Sequence, residues 1–373
     1  MHKAQETVLV IDMDALAHNY RYLKSKLKEG TKFLGVVKAF AYGSDMARIA
    51  KELQELGVDY LAVAYVREGV LLRKAGITLP ILVLHPQPTN FELLIAHRLE
   101  PSLYSPKILK LFLQKAKAFQ LEAYPVHLKF NTGLNRLGFW ENDVDYIVSQ
   151  LEGDTSLDIR SIFSHLAASE DANEEAFTKT QLRNFHKISA EVDAKITSDC
   201  FKHLLNTSGI LNYPEAQWDM VRSGIGLYGF GNSPMEDAQL KPVVALKTVI
   251  SQIHMIEPGE TVGYNRAFVS EGYRKTATLP LGHADGIGRH FGNGKAFVSV
   301  QGTLAPIIGN VCMDMIMIDI TSLQCKEGDE VIVFGTHPTA DQFAAYGGTI
   351  SYELLTGISQ RIQRVFIGGT AEN

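Results

Sequence analysis

The side chains best suited to covalent chemistry in this sequence are a lysine and a tyrosine that follow one apolar run. Lys38 comes directly after Phe33-Leu34-Gly35-Val36-Val37, and Tyr42 lies in the segment that follows. A lysine at the end of a buried strand is partly desolvated, which lowers the pKa of its amine and makes the amine nucleophilic. Tyr42 points the same way as Lys38 if the intervening segment is a helical turn. We therefore expect Lys38 to form a Schiff base with a carbonyl group.

Further basic, amide and hydroxyl side chains follow other apolar runs along the chain. They are Lys129, Arg136, His165, Asn206, Thr207 and Arg222. Together they would make a cationic site, although the whole chain carries a formal net charge of −5. Such a site suits a ligand that carries phosphate and carboxylate groups.

The glycines at Gly224, Gly226 and Gly229 have the spacing of the dinucleotide-binding fingerprint. That fingerprint needs a helix after it and an acidic residue about 20 positions further on. A loop-like segment follows here, and neither Asp nor Glu lies near position 249. The glycines therefore favour a loop whose backbone N–H groups hold a phosphate monoester.

A Schiff-base lysine, a phosphate-binding loop and an arginine in one site are the groups that pyridoxal phosphate requires. The partner of the pyridine nitrogen decides the reaction, because a carboxylate would keep that nitrogen protonated. An arginine stays protonated itself and only donates a hydrogen bond. We assign Arg222 to this position, with His165 as the neighbour that orients it.

Eight short apolar runs, most of them separated by helical patterns, are expected to position these side chains. The runs are Phe33–Lys38, Tyr60–Ala64, Ile81–Leu84, Leu99–Leu103, Pro125–Lys129, Ile159–His165, His203–Leu205 and Met220–Arg222. Eight such units predict an α/β fold, a (β/α)8 barrel of the TIM type. In that fold the active site forms at the carboxyl ends of the strands, where the polar residues above lie.

The pattern changes near residue 240, where β-forming runs and turn signals replace helical periodicity. The runs are Val243–Ile256, Lys295–Val300, Leu304–Ile308, Met313–Ile320 and Glu330–Phe334. We therefore predict a barrel domain over residues 1–240 and a mostly-β domain over residues 241–373. Within residues 1–10, Val8-Leu9-Val10 could pair with the second domain as an edge strand.

Composition excludes several classes of protein. The 373 residues are 46% hydrophobic and 21% charged, which is typical of a globular chain. The near balance of 36 Lys+Arg against 41 Asp+Glu does not indicate nucleic acid binding, and no apolar run is long enough to span a membrane. The three cysteines lie far apart, so we expect neither a disulfide framework nor a metal site. A start without an apolar segment favours a cytoplasmic protein.

The motifs that surround these residues resemble those of one enzyme family. Val37-Lys38-Ala39-x-Ala41-Tyr42-Gly43 is similar to the pyridoxal-phosphate attachment motif of alanine racemases. The other matching segments, in order, are Lys129-x-x-Thr132-Gly133-x-x-Arg136, His165, Asn206-Thr207, Arg222-x-Gly224-Ile225, Val262-Gly263-Tyr264, Leu281-Gly282-His283, Val311-Cys312-Met313-Asp314 and Ile350-Ser351-Tyr352-Glu353. The resemblance therefore extends over nearly the whole chain.

The resemblance implies a racemase that uses pyridoxal 5′-phosphate to interconvert L- and D-alanine and supplies D-alanine for peptidoglycan. Lys38 and Tyr264 would move protons on opposite faces of Cα, so that the base for one enantiomer is the acid for the other. Tyr264 and Met313 would come from the partner subunit of a homodimer. His165 and Arg222 are candidates for the positive charge that a tyrosine base needs.

The resemblance also assigns the remaining contacts. The cofactor would be held by Lys38, Tyr42, Arg136, His165, Asn206, Thr207, Arg222, Gly224, Ile225 and Tyr352, and the substrate by Arg136 and Met313. Lys129 is a candidate for carbamylation, because an anion in its place would orient Arg136, and the alternative is a lysine paired with a carboxylate. His283 stands where the family usually has a tyrosine at the substrate entrance, so the preference for alanine over serine stays open.

Two other functions remain open at this point. A pyridoxal-phosphate decarboxylase also joins a barrel to a β domain, and Cys312 could be its essential cysteine. It would need a carboxylate in place of Arg222. A non-catalytic pyridoxal-phosphate carrier uses a barrel alone and has no use for a second base such as Tyr264.

Overall fold

The computed structural model describes residues 4–196, 200–231 and 233–369. These residues contain nineteen strands. The strands are β1 Val8–Asp12, β2 Lys32–Val36, β3 Tyr60–Val63, β4 Ile81–Val83, β5 Glu100–Leu103, β6 Tyr124–Lys129, β7 Leu157–Phe163, β8 Phe201–His203, β9 Met220–Ser223, β10 Val244–Val249, β11 Gln252–Ile256, β12 Thr261–Val262, β13 Phe268–Val269, β14 Arg274–Leu279, β15 Phe297–Val300, β16 Thr303–Ile308, β17 Ile316–Asp319, β18 Glu330–Phe334 and β19 Gln363–Ile367.

Twelve helices connect the strands in the described part of the chain. They are α1 Met13–Ser25, α2 Lys38–Tyr42, α3 Met46–Glu55, α4 Val66–Lys74, α5 Phe91–Ala96, α6 Pro106–Ala118, α7 Val144–Leu151, α8 Glu175–Lys195, α9 Thr207–Asn212, α10 Pro234–Asp237, α11 Ala340–Tyr346 and α12 Ser351–Gly357. Short 3₁₀ turns include Ile225–Tyr228 and Tyr264–Arg266. Among the described residues, no helix is both long and apolar enough to cross a bilayer.

The strands β2 to β9 form a closed parallel barrel in sequence order, and β9 pairs with β2 to complete it. Every residue of β3, β4 and β5 is buried. Parallel strands covered on both faces are expected to read as continuous apolar runs, and β3 and β4 do so, whereas β5 is buried with a mixed sequence. The predicted (β/α)8 barrel followed by a mostly-β region is confirmed, and Lys38 lies two positions beyond the end of β2.

The second sheet has nine strands in the order β11-β14-β17-β16-β15-β18-β10-β1-β19. Strand β1 lies inside it, antiparallel to β10 and parallel to β19. The run predicted as one long strand over Val243–Ile256 is two strands, because the chain changes neighbours between them. Strand β10 pairs with β18, whereas Ser251 N donates to Thr278 O and β11 then pairs with β14.

The chain divides into two compact units by its internal contacts. One unit contains Leu16–Ala41 and Met46–Lys241, and the other contains described residues 4–15, Tyr42–Asp45 and Pro242–Gly369. We call them the barrel unit and the sheet unit. Residues 1–3 of the predicted N-terminal pairing segment, and residues 370–373 of the predicted second domain, lie outside the described residues.

Candidate functional site

Lys38 begins a single turn of left-handed helix. The four residues Ala39 to Tyr42 have φ angles of 53° or 54°, although none of them is glycine. An L-residue in this conformation costs about 1–2 kcal/mol, so the surroundings must hold the turn. Ala41 N donates to Val37 O at 3.0 Å, and Ala39 N donates to Oε1 of Glu68 at 2.7 Å. The segment is helical as expected, but its opposite hand removes the argument that Tyr42 points the same way as Lys38.

The amine of Lys38 is half-buried, and its pKa is lowered by its surroundings. Burial lowers its pKa, the positive charge of Arg136 lowers it further, and the carboxylate of Glu68 opposes both effects. A lowered pKa increases the neutral fraction of the amine, which is the form that attacks a carbonyl or accepts a proton. Glu68 therefore contacts the turn and also tunes the amine, a role that the sequence analysis missed.

The guanidinium of Arg222 is buried and held by several acceptors. Nη2 donates to Ser164 O at 2.6 Å and to Leu204 O at 3.0 Å, and Nη1 lies 2.6 Å from Nδ1 of His203. Burial lowers the pKa of Arg222 to about 9, so it still carries its proton at neutral pH. Arg222 is thus a fixed hydrogen-bond donor.

Two histidines flank Arg222, and only one of them was expected. Nδ1 of His165 lies 3.3 Å from Nη2, a longer contact than the one made by His203. Burial lowers the pKa of His165 well below its usual value, and the charges of Arg222, Arg136, Lys129 and Lys38 add to this effect. His165 is therefore neutral, and the expectation that it supplies positive charge is wrong.

Lys129 is buried in the barrel unit among other cations. Burial lowers its pKa to about 8, helped by the charges of Arg136, Arg222 and Lys38. Its Nζ lies 5.8 Å from the centroid of the Phe163 ring, and the Arg222 guanidinium lies 5.4 Å from the same centroid. The side chain of Arg136 is exposed, and its charge reaches both lysines.

The residues predicted to bind phosphate meet at the ends of β8 and β9. Asn206 is the N-cap residue of helix α9, and its Oδ1 accepts from Gly209 N at 2.9 Å. The hydroxyl of Thr207 lies 3.0 Å from the hydroxyl of Ser223 and accepts from Gly226 N at 3.3 Å. A Cβ at Gly226 would lie 2.5 Å from Cγ2 of Thr207, so this close approach requires glycine.

The backbone after β9 adds donors beside Thr207. Gly224 precedes the 3₁₀ turn Ile225–Tyr228, and Gly224 and Ile225 are both buried. The first N–H groups of such a turn have no acceptor within it. A hydroxyl and turn N–H groups beside a buried arginine and a half-buried lysine amine fit the phosphate, ring nitrogen and aldehyde of pyridoxal phosphate.

Tyr42 and Tyr352 lie together in the sheet unit. Their ring centroids are 6.0 Å apart, and Tyr42 is buried whereas Tyr352 is partly exposed. Burial raises the pKa of Tyr42, and the neighbouring Tyr352 raises it further. Tyr42 therefore keeps its hydroxyl proton and is a hydrogen-bond donor, not a base.

Tyr264 and Met313 line one cavity of the sheet unit. Its volume is about 480 Å³, and Thr278, Cys312 and Met317 also line it. The side chains of Tyr264 and Met313 are 73% and 59% exposed. His283 is also exposed.

The structure distributes the expected residues over its two units. The barrel unit holds Lys38, Lys129, Arg136, His165, Asn206, Thr207, Arg222, Gly224 and Ile225. The sheet unit holds Tyr42, Tyr264, His283, Met313 and Tyr352. Sequence reasoning missed His203 as the nearer partner of Arg222, since it treated His203 only as part of a strand.

Comparison with known proteins matches nearly the whole chain to one family. The family profile "Alanine racemase, N-terminal domain" matches residues 11–232, and "Alanine racemase, C-terminal domain" matches residues 243–366. Alanine racemase 1 of Clostridium acetobutylicum is 36% identical over 370 residues, which cover 96% of this chain and 94% of that protein.

Solved structures are similar over the same extent. An alanine racemase of Clostridium difficile 630 superposes with a TM-score of 0.90 at 35% identity, covering 98% of this chain and 97% of that one. The alanine racemase of Bartonella henselae with covalently bound pyridoxal phosphate gives a TM-score of 0.89 at 29% identity, covering 98% of this chain and 100% of that one.

Proposed function

The chain belongs to the alanine racemase family and is a pyridoxal-phosphate-dependent isomerase of alanine, and we propose that its two proton transfers use Lys38 and Tyr264. When bound, pyridoxal 5′-phosphate supplies an electron-withdrawing ring that makes the Cα proton of the amino acid removable. Everything else in the reaction must come from the side chains of the protein.

Lys38 acts at one face of Cα. Its Nζ would hold the cofactor, and as a free amine it would accept or return the Cα proton. The lowered pKa of Lys38 supports this role, because a general base works best when its pKa lies near the working pH. Tyr264 performs the same transfer from the opposite face through its hydroxyl oxygen.

Arg222 determines the type of reaction. Its guanidinium would donate a hydrogen bond to the ring nitrogen without giving up its proton, because the pKa of about 9 lies well above neutral pH. Beside Arg222, a bound pyridine ring would withdraw electrons less strongly than beside a carboxylate. This weaker electron withdrawal favours simple proton exchange at Cα over the breaking of other bonds.

The phosphate would be held at the ends of β8 and β9 by Thr207, Gly224, Ile225 and Asn206. The hydroxyls of Tyr42 and Tyr352 would be further donors. Tyr42 suits this role because its raised pKa keeps the hydroxyl protonated. Tyr352 would also narrow the site and favour a methyl side chain over larger ones.

Arg136 would contact the phenolic oxygen of the cofactor and the substrate carboxylate. His165 would pack against Arg222 as a neutral neighbour.

We propose that Lys129 carries a carbamate. With a pKa of about 8, roughly a tenth of the amine is neutral at pH 7, and this form attacks the carbon of CO₂. An N–C bond forms, one C=O electron pair moves to oxygen, and a proton leaves to solvent. The anion that results pairs with Arg136. Electron density that ends at Nζ in crystals grown with bicarbonate would contradict this assignment.

A homodimer with shared sites is the assembly that we propose. The 73% exposure of Tyr264 and 59% exposure of Met313 support it, since a second copy of the chain could cover both. Each site would then combine one barrel unit with Tyr264 and Met313 of the other subunit. Light scattering coupled to gel filtration measures this mass directly.

We also place the enzyme in the cytoplasm, where it supplies D-alanine for cell-wall peptidoglycan. Its cysteines Cys200, Cys312 and Cys325 form no disulfide among the described residues, as is expected in a reducing compartment. Small molecules are its expected ligands, with neither nucleic acid nor membrane as a partner.

The family match over residues 11–232 and 243–366 carries this proposal. It is tested by incubating the holoenzyme with L-alanine and separating the products by chiral chromatography, where D-alanine is expected. Release of CO₂ would support a decarboxylase, and no turnover would support a carrier. Burial raises the pKa of Cys312, while Arg289 opposes the shift, so the thiol is poorly suited to the role that a decarboxylase would give it.

A further inference from the structure

A row of hydrogen-bonded side chains crosses the interior of the barrel, with one member from each of the strands β5 to β9. Oε2 of Glu100 lies 2.7 Å from Nε2 of His127, and Nδ1 of His127 lies 2.6 Å from Oγ of Ser161. Oγ of Ser161 lies 2.9 Å from Nε2 of His203, and Nδ1 of His203 lies 2.6 Å from Nη1 of Arg222. All five side chains are buried.

The chemistry of the two ends fixes the direction of every bond in this row. Arg222 can only donate, so Nδ1 of His203 must accept. Burial lowers the pKa of His203 well below its usual value, and the charges of Arg222 and His127 add to this, so the ring is neutral. Its one proton therefore sits on Nε2 and is donated to Ser161.

The same reasoning continues to the acidic end. Ser161, having accepted from His203, donates its hydroxyl proton to Nδ1 of His127. His127 then carries its proton on Nε2 and donates it to Glu100, whose carboxylate only accepts. Every donor points towards Glu100, and the two charges of the row lie at opposite ends. Such chains polarise their members cooperatively in a low-dielectric interior.

Packing holds the row in place near Arg222. The ring of His203 stacks on Phe163 with a centroid distance of 4.7 Å and an interplanar angle of 8°. Without an acceptor at Glu100, His127 would be free to protonate Nδ1 instead. Ser161 would then face two donors and have no acceptor in the row for its own proton, and the bond between His203 and Arg222 would weaken.

We propose that Glu100 is a positioning residue for racemisation, acting through His127, Ser161 and His203 to hold the guanidinium of Arg222 in the orientation that serves the ring nitrogen of the cofactor. This inference rests on the proposed function, which places Arg222 at that nitrogen. Glu100 lies at the start of β5, whereas the proposed site is at the opposite ends of the strands. Its influence is therefore transmitted by hydrogen bonds and not by contact.

Glu100 also has a structural role from which the positioning role must be separated. Burial raises the pKa of Tyr60, and the charge of Glu100 raises it further. Burial lowers the pKa of Arg73, and the charge of Glu100 opposes that decrease. A loss of stability alone would therefore not support the proposal. The variants must be compared in properties that report on Arg222.

The test uses Ser161→Ala, which cuts the row between the two histidines, and Glu100→Leu, which removes its acceptor. Ser102→Ala is the matched control, because Ser102 is a buried serine of β5 whose hydroxyl has no hydrogen-bond partner among the described residues. Ser161→Cys keeps a weak donor, and Glu100→Gln keeps an acceptor for His127. These two conservative variants should restore part of the function.

In the holoenzymes we expect Ser161→Ala and Glu100→Leu to lower kcat about tenfold or more, the effect of losing a hydrogen bond that supports a charged group. KM and cofactor affinity should change little, and the absorption band of the bound cofactor should shift. Ser161→Cys and Glu100→Gln should be intermediate, and Ser102→Ala should match the wild type.

A second measurement does not depend on the loaded enzyme. In cofactor-free protein labelled with ¹⁵N-histidine, NMR should show His127 and His203 protonated at Nε2 in the wild type and a mixture of tautomers for His127 in Glu100→Leu. If Glu100→Leu fails to fold, kcat and the absorption band are compared in Ser161→Ala and Ser161→Cys instead. Wild-type kcat and an unchanged absorption band in folded Ser161→Ala, or a wild-type His203 protonated at Nδ1, would overturn the proposal. If the wild type itself fails to racemise alanine, the proposed function fails instead.

Discussion

Oε1 of Glu68 accepts a hydrogen bond from the backbone N–H of Ala39 at 2.7 Å, one residue after Lys38. The other carboxylate oxygen accepts from Ala64 N at 2.8 Å and from Tyr65 N at 3.0 Å. One side chain thus ties the left-handed turn to the start of α4. The strained backbone beside Lys38 is held by a residue from the next βα unit of the barrel.

Replacing this carboxylate should loosen the turn. We expect Glu68→Gln to lower the free energy of unfolding by about 1–3 kcal/mol, because an amide has one acceptor oxygen where the carboxylate satisfies N–H groups with two. The pKa of Lys38 should fall further, since the charge that raises it is gone. Urea denaturation gives the stability, and the pH dependence of amine labelling at Lys38 gives the pKa. An unchanged labelling profile would show that Glu68 does not tune the amine.

The contact between Gly226 and Thr207 predicts a sensitive position in the phosphate-binding region. Gly226→Ala should destabilise the protein by about 1–3 kcal/mol, because its Cβ would lie 2.5 Å from Cγ2 of Thr207. Moving Thr207 should also weaken the binding of pyridoxal phosphate, measured by fluorescence titration of the cofactor-free enzyme. Gly272→Ala is the control, since its Cβ would meet nothing within 4 Å. Equal effects of the two variants would contradict this reasoning.

Lys129 gives a prediction about stability and pH. Its pKa is lowered from 10.5 to about 8, so between these values the unfolded chain binds more protons than the folded one. Stability from this group therefore rises with pH across that window, by up to about 3 kcal/mol, and is flat below pH 8. Lys129→Met should lack the rise.

The measurement compares wild type and Lys129→Met in buffer free of CO₂, by urea denaturation from pH 7 to pH 10.5. Other groups titrate in the same range, so only the difference between the two proteins is interpreted. The variant should be the more stable protein near pH 7 and should lose that advantage as the pH rises. A constant difference would show that the amine of Lys129 is not perturbed.

Shared sites in a homodimer predict complementation between two inactive variants. A Lys38→Ala subunit still offers Tyr264, and a Tyr264→Phe subunit still offers Lys38. In a symmetric dimer each mixed pair then contains one intact site and one doubly altered site, so random mixing should restore about a quarter of wild-type activity. The two proteins are unfolded and refolded together, and each refolded alone is the control. No recovery in a mixture shown to contain mixed dimers would exclude sharing.

The barrel was predictable because strands such as β3 and β4 read as short apolar runs at regular intervals, and the eight expected segments correspond to β2 through β9. The left-handed turn after Lys38 was not predictable. Its residues Ala39, Phe40 and Ala41 carry no signal for positive φ, and the bond that holds the turn comes from Glu68, 29 positions away. Long-range contacts overrode local preference there.

The role of His203 was hidden for a similar reason. Its sequence neighbours Leu204 and Leu205 indicate a strand, and nothing local shows that Arg222, 19 positions later, lies beside it. Only the pairing of β8 with β9 brings the two together. The strands β14 and β19 and the helices α11 and α12 were missed because their short, mixed patterns resemble loops.

The central claim, that Lys38 and Tyr264 serve opposite faces of Cα, is tested most directly by hydrogen exchange in the Tyr264→Phe variant. Each enantiomer of alanine is incubated separately with the holoenzyme in D₂O, and deuterium at Cα is followed by NMR. The account predicts that one enantiomer exchanges through Lys38 without changing hand, while the other does not exchange. Loss of exchange from both enantiomers to the same degree, or racemisation at the wild-type rate, would contradict it.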